Sequence, residues 1–171
     1  MKRKDVYSMI KPIRVEDRHS ALEFLALQMI SYLREAELSG LSDIPPLMDS
    51  ISSLQYSDET FLGYMIDGKL HGAIAYRQKE GVVTISRLMV HPDVFRKGIA
   101  SRLVLYVMER HPDALWFEVA AGTGNEPALH LYQKLGFQPD GVRPISAGVS
   151  LTLLRKRGSA IRTEENKDKG G

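Results

Sequence analysis

Two short stretches hold most of the residue types that could do chemistry. The first runs from Ile85 to Leu103. A β-branched, apolar strand ends there at His91-Pro92-Asp93, followed by Val94-Phe95-Arg96-Lys97-Gly98-Ile99-Ala100-Ser101. A basic, glycine-containing loop that feeds a helix start offers backbone N–H groups with no partner inside the helix, together with the positive end of its dipole. Gly98 and Ala100 keep side-chain bulk away from that backbone, and Arg96 and Lys97 add charge. The pattern suits a phosphate or pyrophosphate. It is not a Walker-type loop, because no Gly-Lys-Ser/Thr follows. An ordinary turn opening on small helix residues has the same letters, and spacing alone leaves both readings standing.

The second stretch is Leu115 to Phe137. Glu118 lies inside an apolar strand, Trp116-Phe117-Glu118-Val119-Ala120. Buried there, its carboxyl would have a raised pKa and make a better base. Facing solvent or paired with an arginine, it would not. Gly122-Thr123-Gly124 resembles the start of a dinucleotide fingerprint, but Pro127 occupies the third glycine position. His91 and His130 are the other candidate bases. His91 sits at a Pro-bounded strand end and reads as structural. His130 is two residues before Tyr132 and points elsewhere on its helix.

Alternating and helical patterns supply the elements that must hold these residues. A first strand is expected over 8–14. A helix follows Glu16-Asp17, with Leu22, Leu25, Ala26, Met29 and Leu33 on one face. Gly40 and Pro45-Pro46 break it, and Leu47, Ile51 and Leu54 suggest a second short helix. Strands 61–66 and 70–76 flank Asp67-Gly68, a hairpin-turn dipeptide. A strand is expected over 82–90, a helix over 98–110, a strand over 115–120, a helix over 125–135 with Pro127 near its start and Gly136 past its end, and strands over 137–145 and 149–155. The order predicts an α/β fold with a mixed, mostly antiparallel central sheet of six to seven strands flanked by helices. A single domain is expected over 1–155, and 156–171 reads as a disordered basic tail.

The chain has 171 residues, no cysteine and a net charge of +2. Disulfides, Cys-ligated metals and a cysteine nucleophile are therefore excluded. The expected location is cytoplasmic, with no membrane partner: no run approaches the ~20 apolar residues of a spanning helix. The charge is partitioned. Residues 19–68 carry Arg34 against eight carboxylates, whereas residues 69–112 carry eight basic groups against three acidic ones. An anionic ligand suits the middle and a cationic one the first half, although solvated helix faces account for the same pattern. Arg155-Lys156-Arg157 is a concentrated basic tract. It lacks the aromatic or groove-reading context of a nucleic-acid binder, so no nucleic-acid partner is expected.

Both stretches resemble motifs of the GNAT N-acetyltransferase family. The loop pattern Gln/Arg-x-x-Gly-x-Gly/Ala is matched by Phe95-Arg96-Lys97-Gly98-Ile99-Ala100, with Phe95 departing at the first position. The pattern Asn-x-x-Ala-x-x-Leu-Tyr-x-Lys-x-Gly-Phe is filled at every named position by Asn125, Ala128, Leu131, Tyr132, Lys134, Gly136 and Phe137. The resemblance implies acetyl-CoA as donor substrate and an amine as acceptor, with no metal. It implies that Leu88-Met89-Val90 would hold the pantetheine arm, through the backbones of Leu88 and Val90. Arg96, Lys97, Gly98, Ile99, Ala100 and Ser101 would hold the pyrophosphate, and Asn125 and Ala128 would lie along the pantetheine. Tyr132 would protonate the departing thiolate, or serve as a packing residue on the face it shares with Ala128, Leu131 and Leu135. Glu118 or water would take the amine proton. The acceptor would be gripped by 25–57 and 137–148, with Glu35, Glu37, Asp43, Asp49 and Glu118 as candidate contacts. A monomer or homodimer is expected. Two other classes remain open: an acyl-CoA-binding regulatory module without turnover, and an adaptor acting through the basic tail.

Overall fold

The computed structural model describes residues 7–39, 49–146 and 148–160. Among the described residues, seven strands form a mostly antiparallel sheet with flanking helices, in the spatial order 10–12, 60–66, 69–79, 82–90, 116–122, 149–157 and 138–146. The chain divides into two compact units, 1–75 with 87–104, and 76–86 with 105–171.

In the first unit, β1 (Ile10–Pro12) pairs antiparallel with β2 (Thr60–Ile66), in the register Ile10↔Tyr64 to Pro12↔Leu62. It is shorter than the expected 8–14. The helix α1 (Arg18–Ser39) opens on Asp17, whose carboxylate accepts from the Ser20 N–H at 3.0 Å and the Ser20 hydroxyl at 2.8 Å. The buried face of α1 is not the expected one. Ala21, Phe24 and Leu27 are buried, whereas Leu22, Met29 and Leu33 are each about 45% exposed. The helix is apolar almost all round, so spacing could not choose a face, and its tertiary partners did. Those partners form a core of Phe24, Leu27, Leu54, Phe61, Ala73 and Met89, in which Phe24 and Phe61 meet edge to face at 5.1 Å.

The short helix α2 (Ile51–Gln55) begins with a reciprocal cap between Ser50 and Ser53 and buries Leu54. The expected contributions of Leu47 and Asp43 lie outside the described residues. The β2–β3 turn places both Asp67 (φ 50°) and Gly68 (φ 74°) in the left-handed region, as a tight hairpin turn demands. β3 (Lys69–Lys79) then carries Gly72, where a Cβ would come within 2.8 Å of Ile99, so the following helix α3 (Ile99–Arg110) packs close on that strand.

In the second unit, the Val82–Ile85 part of β4 (Val82–Val90) pairs in parallel with β5 (Trp116–Gly122), from Val82↔Trp116 to Ile85↔Val119. β5 also pairs antiparallel along its whole length with β7 (Val149–Arg157), and β6 (Gln138–Ser146) closes the edge with two register shifts. Phe117, Val119 and Ala121 are buried on one face of β5. β7 runs two residues past the expected 155. Gly158 is still tied down, donating its N–H to Leu115 at 2.8 Å, and a Cβ there would run into the Ala114 carbonyl. Residues 161–171 of the expected tail lie outside the described residues. The last helix, α4 (Glu126–Lys134), follows β5 and precedes β6.

Candidate active site

The first unit carries the strand–loop–helix. Met89 is buried in the core, so it can offer a ligand only its backbone, while the flanking Leu88 and Val90 are half-buried. A 3₁₀ turn, Pro92–Val94, leaves the strand, capped by His91, whose Nδ1 accepts from the Asp93 N–H at 3.1 Å. That bond makes His91 a structural residue and occupies one of its two ring nitrogens.

The loop then bends through Arg96 (φ 62°) and Gly98 (φ 76°), two left-handed residues flanking Lys97. For an arginine this backbone is uncommon. Where left-handed residues alternate with right-handed ones, successive N–H groups turn toward one side and make a concavity for an anion. Nothing lies within 4 Å of where a Gly98 Cβ would stand, so the mouth is open. Arg96, Lys97 and Gly98 are exposed, and Ile99 is buried as the anchor of α3. Ala100 and Ser101 complete the first turn, where N–H groups lack helix partners. Arg102, not anticipated from the sequence, donates to the Tyr64 hydroxyl at 2.9 Å and ties this helix start to β2.

A second feature that sequence reasoning missed is Arg87 on β4. Its guanidinium pairs with Asp49 at 2.7 Å and with the deeply buried Glu59 at 3.0 Å. Burial pushes the Asp49 carboxyl up, but hydrogen bonds from Arg87 and Gln28 and the Arg87 charge outweigh it, holding Asp49 below the usual carboxylate range. Burial pulls Arg87 down, and its bonds to Glu59 and Asp49 more than restore it. Among the acceptor candidates, Asp49 therefore lies beside β4. Glu35 is exposed on α1, and Glu37 pairs with Arg34 at 3.0 Å.

The second unit carries the strand–helix at 115–137. Asn125 caps α4: its side-chain oxygen accepts from the Ala128 N–H at 3.2 Å. That oxygen is committed to the helix start, so a pantetheine contact through it would compete with the cap. Tyr132 is only 4% exposed and meets the Phe137 ring at 5.6 Å, the packing role in plain view. His130 is exposed, as its helical position implied.

Glu118 is not buried. Strand alternation gives the core face to Phe117 and Val119 and sends Glu118 to the face of Trp116. Its side chain is 37% exposed and pairs with Arg155 at 2.9 Å. Of the two readings the sequence left open for Glu118, the structure has the arginine-paired one. Arg155 also stacks 4.1 Å above the Trp116 ring. A groove of about 380 Å³ beside it is lined by Trp116, Gly136, Gln138, Asp140, Arg155 and Arg157. The basic tract is therefore part of a strand, and neither Asn125 nor Tyr132 lines this groove.

Comparison with known proteins follows these two motifs. Residues 26–137 match the model of the acetyltransferase (GNAT) family. The chain is 38% identical over 146 residues, 85% of its length, to the UPF0157 protein YqkA of Bacillus subtilis (strain 168), covering 43% of that protein. It is 37% identical over 71 residues, 42% of its length, to the peptidyl-lysine N-acetyltransferase YiaC of Escherichia coli (strain K12), covering 44% of it. The match thus spans less than half the length of either curated relative. Among solved structures, the PaiA N-acetyltransferase of Thermoplasma acidophilum, in complex with coenzyme A, superposes with a TM-score of 0.71 at 18% identity, over 86% of this chain and 97% of that one.

Proposed function

The chain belongs to the GNAT acetyltransferase family, and from that premise we propose that it moves an acetyl group from acetyl-CoA directly to a primary amine. The observation that carries this reading is the left-handed pair Arg96 and Gly98 at the N-terminus of α3, immediately after β4. That backbone, with Ile99, Ala100 and Ser101, would take the donor's pyrophosphate, aided by the Arg96 and Lys97 charges. The backbone of Leu88-Met89-Val90, past the end of the β5 register, would take the pantetheine arm.

In the reaction, the neutral amine nitrogen attacks the thioester carbonyl carbon. A C–N bond forms, and the carbonyl oxygen becomes an oxyanion. An N–H of Leu88 or Val90 would stabilise it. The C–S bond then breaks, the thiolate takes a proton from the Tyr132 hydroxyl, and Tyr132 is reprotonated from solvent. The amine's surplus proton leaves to water, or to Glu118 once its Arg155 pair opens; the ion pair favours water. Without cysteine, no acetyl-cysteine intermediate can form, which supports direct transfer with donor and acceptor in one ternary complex.

We read the acceptor as a cationic amine: a polyamine, an aminoglycoside or a lysine side chain. The acidic excess of residues 19–68 supports this, with Glu35 exposed on α1. The burial of Tyr132 and the Arg155 pairing of Glu118 favour one second reading, a donor-binding module without turnover. No helix among the described residues is long and apolar enough to cross a membrane.

A screen of proteins, polyamines and aminoglycosides for coenzyme A release tests the proposal. Amine-dependent release that is lost in Tyr132→Phe supports the enzyme. Tight acetyl-CoA binding with silence across the panel supports the module.

A further inference from the structure

The β4–β5 register ends at Ile85↔Val119, but β4 continues to Val90. Arg87 stands just past that end, and its side chain leaves on the face of Met89, into the core. There its guanidinium lies 5.9 Å from the ring centroids of both Phe24 and Phe61. Every N–H of the fork is used. Nε and Nη2 each donate to Glu59 at 3.0 Å. Nη1 donates to Asp49 at 2.7 Å and to Gln28 at 2.8 Å, and Nη2 reaches the other Asp49 oxygen at 3.4 Å. The Glu59 side chain is 1% exposed and that of Arg87 19%. Gln28 closes the ring by donating to Asp49 at 2.8 Å, and Ser53 adds a bond at 3.2 Å.

One strand residue is thereby fastened to three segments: α1 through Gln28, the entry to α2 through Asp49, and the entry to β2 through Glu59. Stability alone is a poor reason for such a group. Taking charges out of water is costly, and well-packed apolar residues of similar volume commonly replace buried ion pairs at no loss. A planar, fully bonded guanidinium instead supplies fixed direction.

We infer that Arg87 is a positioning residue: it fixes the Leu88–Val90 segment of β4, where β5 no longer pairs, in the line required to take the pantetheine arm. The assignment rests on the reading of β4 as the donor strand. It adds to that reading a residue that never touches the donor.

The test is calorimetric titration of the full chain with two probes, coenzyme A and 3′-phospho-ADP, the fragment without the arm. Arg87→Lys keeps the charge and loses the fork. Gln28→Met is a milder second variant that removes one partner and no charge. Arg87→Lys should weaken coenzyme A about tenfold, the scale of one lost charge-assisted hydrogen bond. Its affinity for 3′-phospho-ADP, held by the Arg96–Ser101 loop, should be unchanged. Gln28→Met should move coenzyme A in the same direction by less. Parallel weakening of both probes would reveal a general structural role and overturn the assignment, as would unchanged affinity for both. If the unaltered chain binds neither probe, the donor reading falls and takes the assignment with it. If it binds both and the variants do not separate them, only the assignment falls.

Discussion

Arg155 and Glu118 stand directly opposite each other in the β5–β7 pair, with Nε 2.9 Å from a carboxylate oxygen. The same guanidinium lies 4.1 Å above Trp116 and 3.7 Å from Asp140. In the proposed reaction this pairing gives the amine proton to water rather than to Glu118.

Glu118→Gln should accordingly be mild. We expect amine-dependent turnover to fall by less than about tenfold, below the range for losing a general base. The acidic limb of the kcat profile should stay in place. A loss of two orders of magnitude, with that limb shifted, would restore Glu118 as the base.

Tyr132→Phe should be severe and selective. The ring and its contact with Phe137 survive the change, so the fold and the acetyl-CoA affinity should stay. Loss of a proton donor to sulfur should lower kcat by about 10²–10⁴-fold. Undiminished transfer would leave Tyr132 with packing alone.

Gly98→Ala tests the anion cradle. At φ 76° an L side chain is strained even though the space is open. The expected cost is about 1–2 kcal/mol, borne by the loop and read as weaker coenzyme A binding. Gly124→Ala is the control: it too has open space, and its φ is not in the left-handed region. Equal effects at the two glycines would argue against a conformational role for Gly98.

Asp49 sets a dependence on acid. Its carboxyl lies below the ordinary 3.8 in the folded chain. Between the lowered value and the ordinary one, the unfolded chain binds more protons than the folded one. The stability it contributes is therefore complete above about pH 4 and is lost as pH falls through the lowered value. In thermal melts, Asp49→Asn should flatten the decline of Tm below pH 4. An unchanged slope would show that the Arg87 pairing does not hold Asp49 ionised.

The hairpin at Asp67-Gly68, the strand to Val90, the Gly98 loop and the Asn125 helix were legible because each depends on local chemistry: turn dihedrals, alternation and caps. The face of α1 was not, because Leu22, Phe24, Leu25, Leu27, Met29 and Ile30 surround it with apolar side chains and only the core could choose among them. The setting of Glu118 was left open for a related reason. An apolar run in a strand has two faces, and period two alone could have placed Glu118 with Trp116. The Arg87 cluster joins residues 28, 49, 59 and 87, a contact of distant segments that leaves no local signature.

The most direct test of the central claim follows an isotopically labelled acetyl group by mass spectrometry, first with labelled acetyl-CoA and protein alone, then with a reactive amine added. The account predicts no coenzyme A burst and no labelled protein intermediate in the first stage, and label on the amine nitrogen with one coenzyme A released per product in the second. Label trapped on the protein before amine is added, or label that never leaves acetyl-CoA for any amine tested, would contradict it.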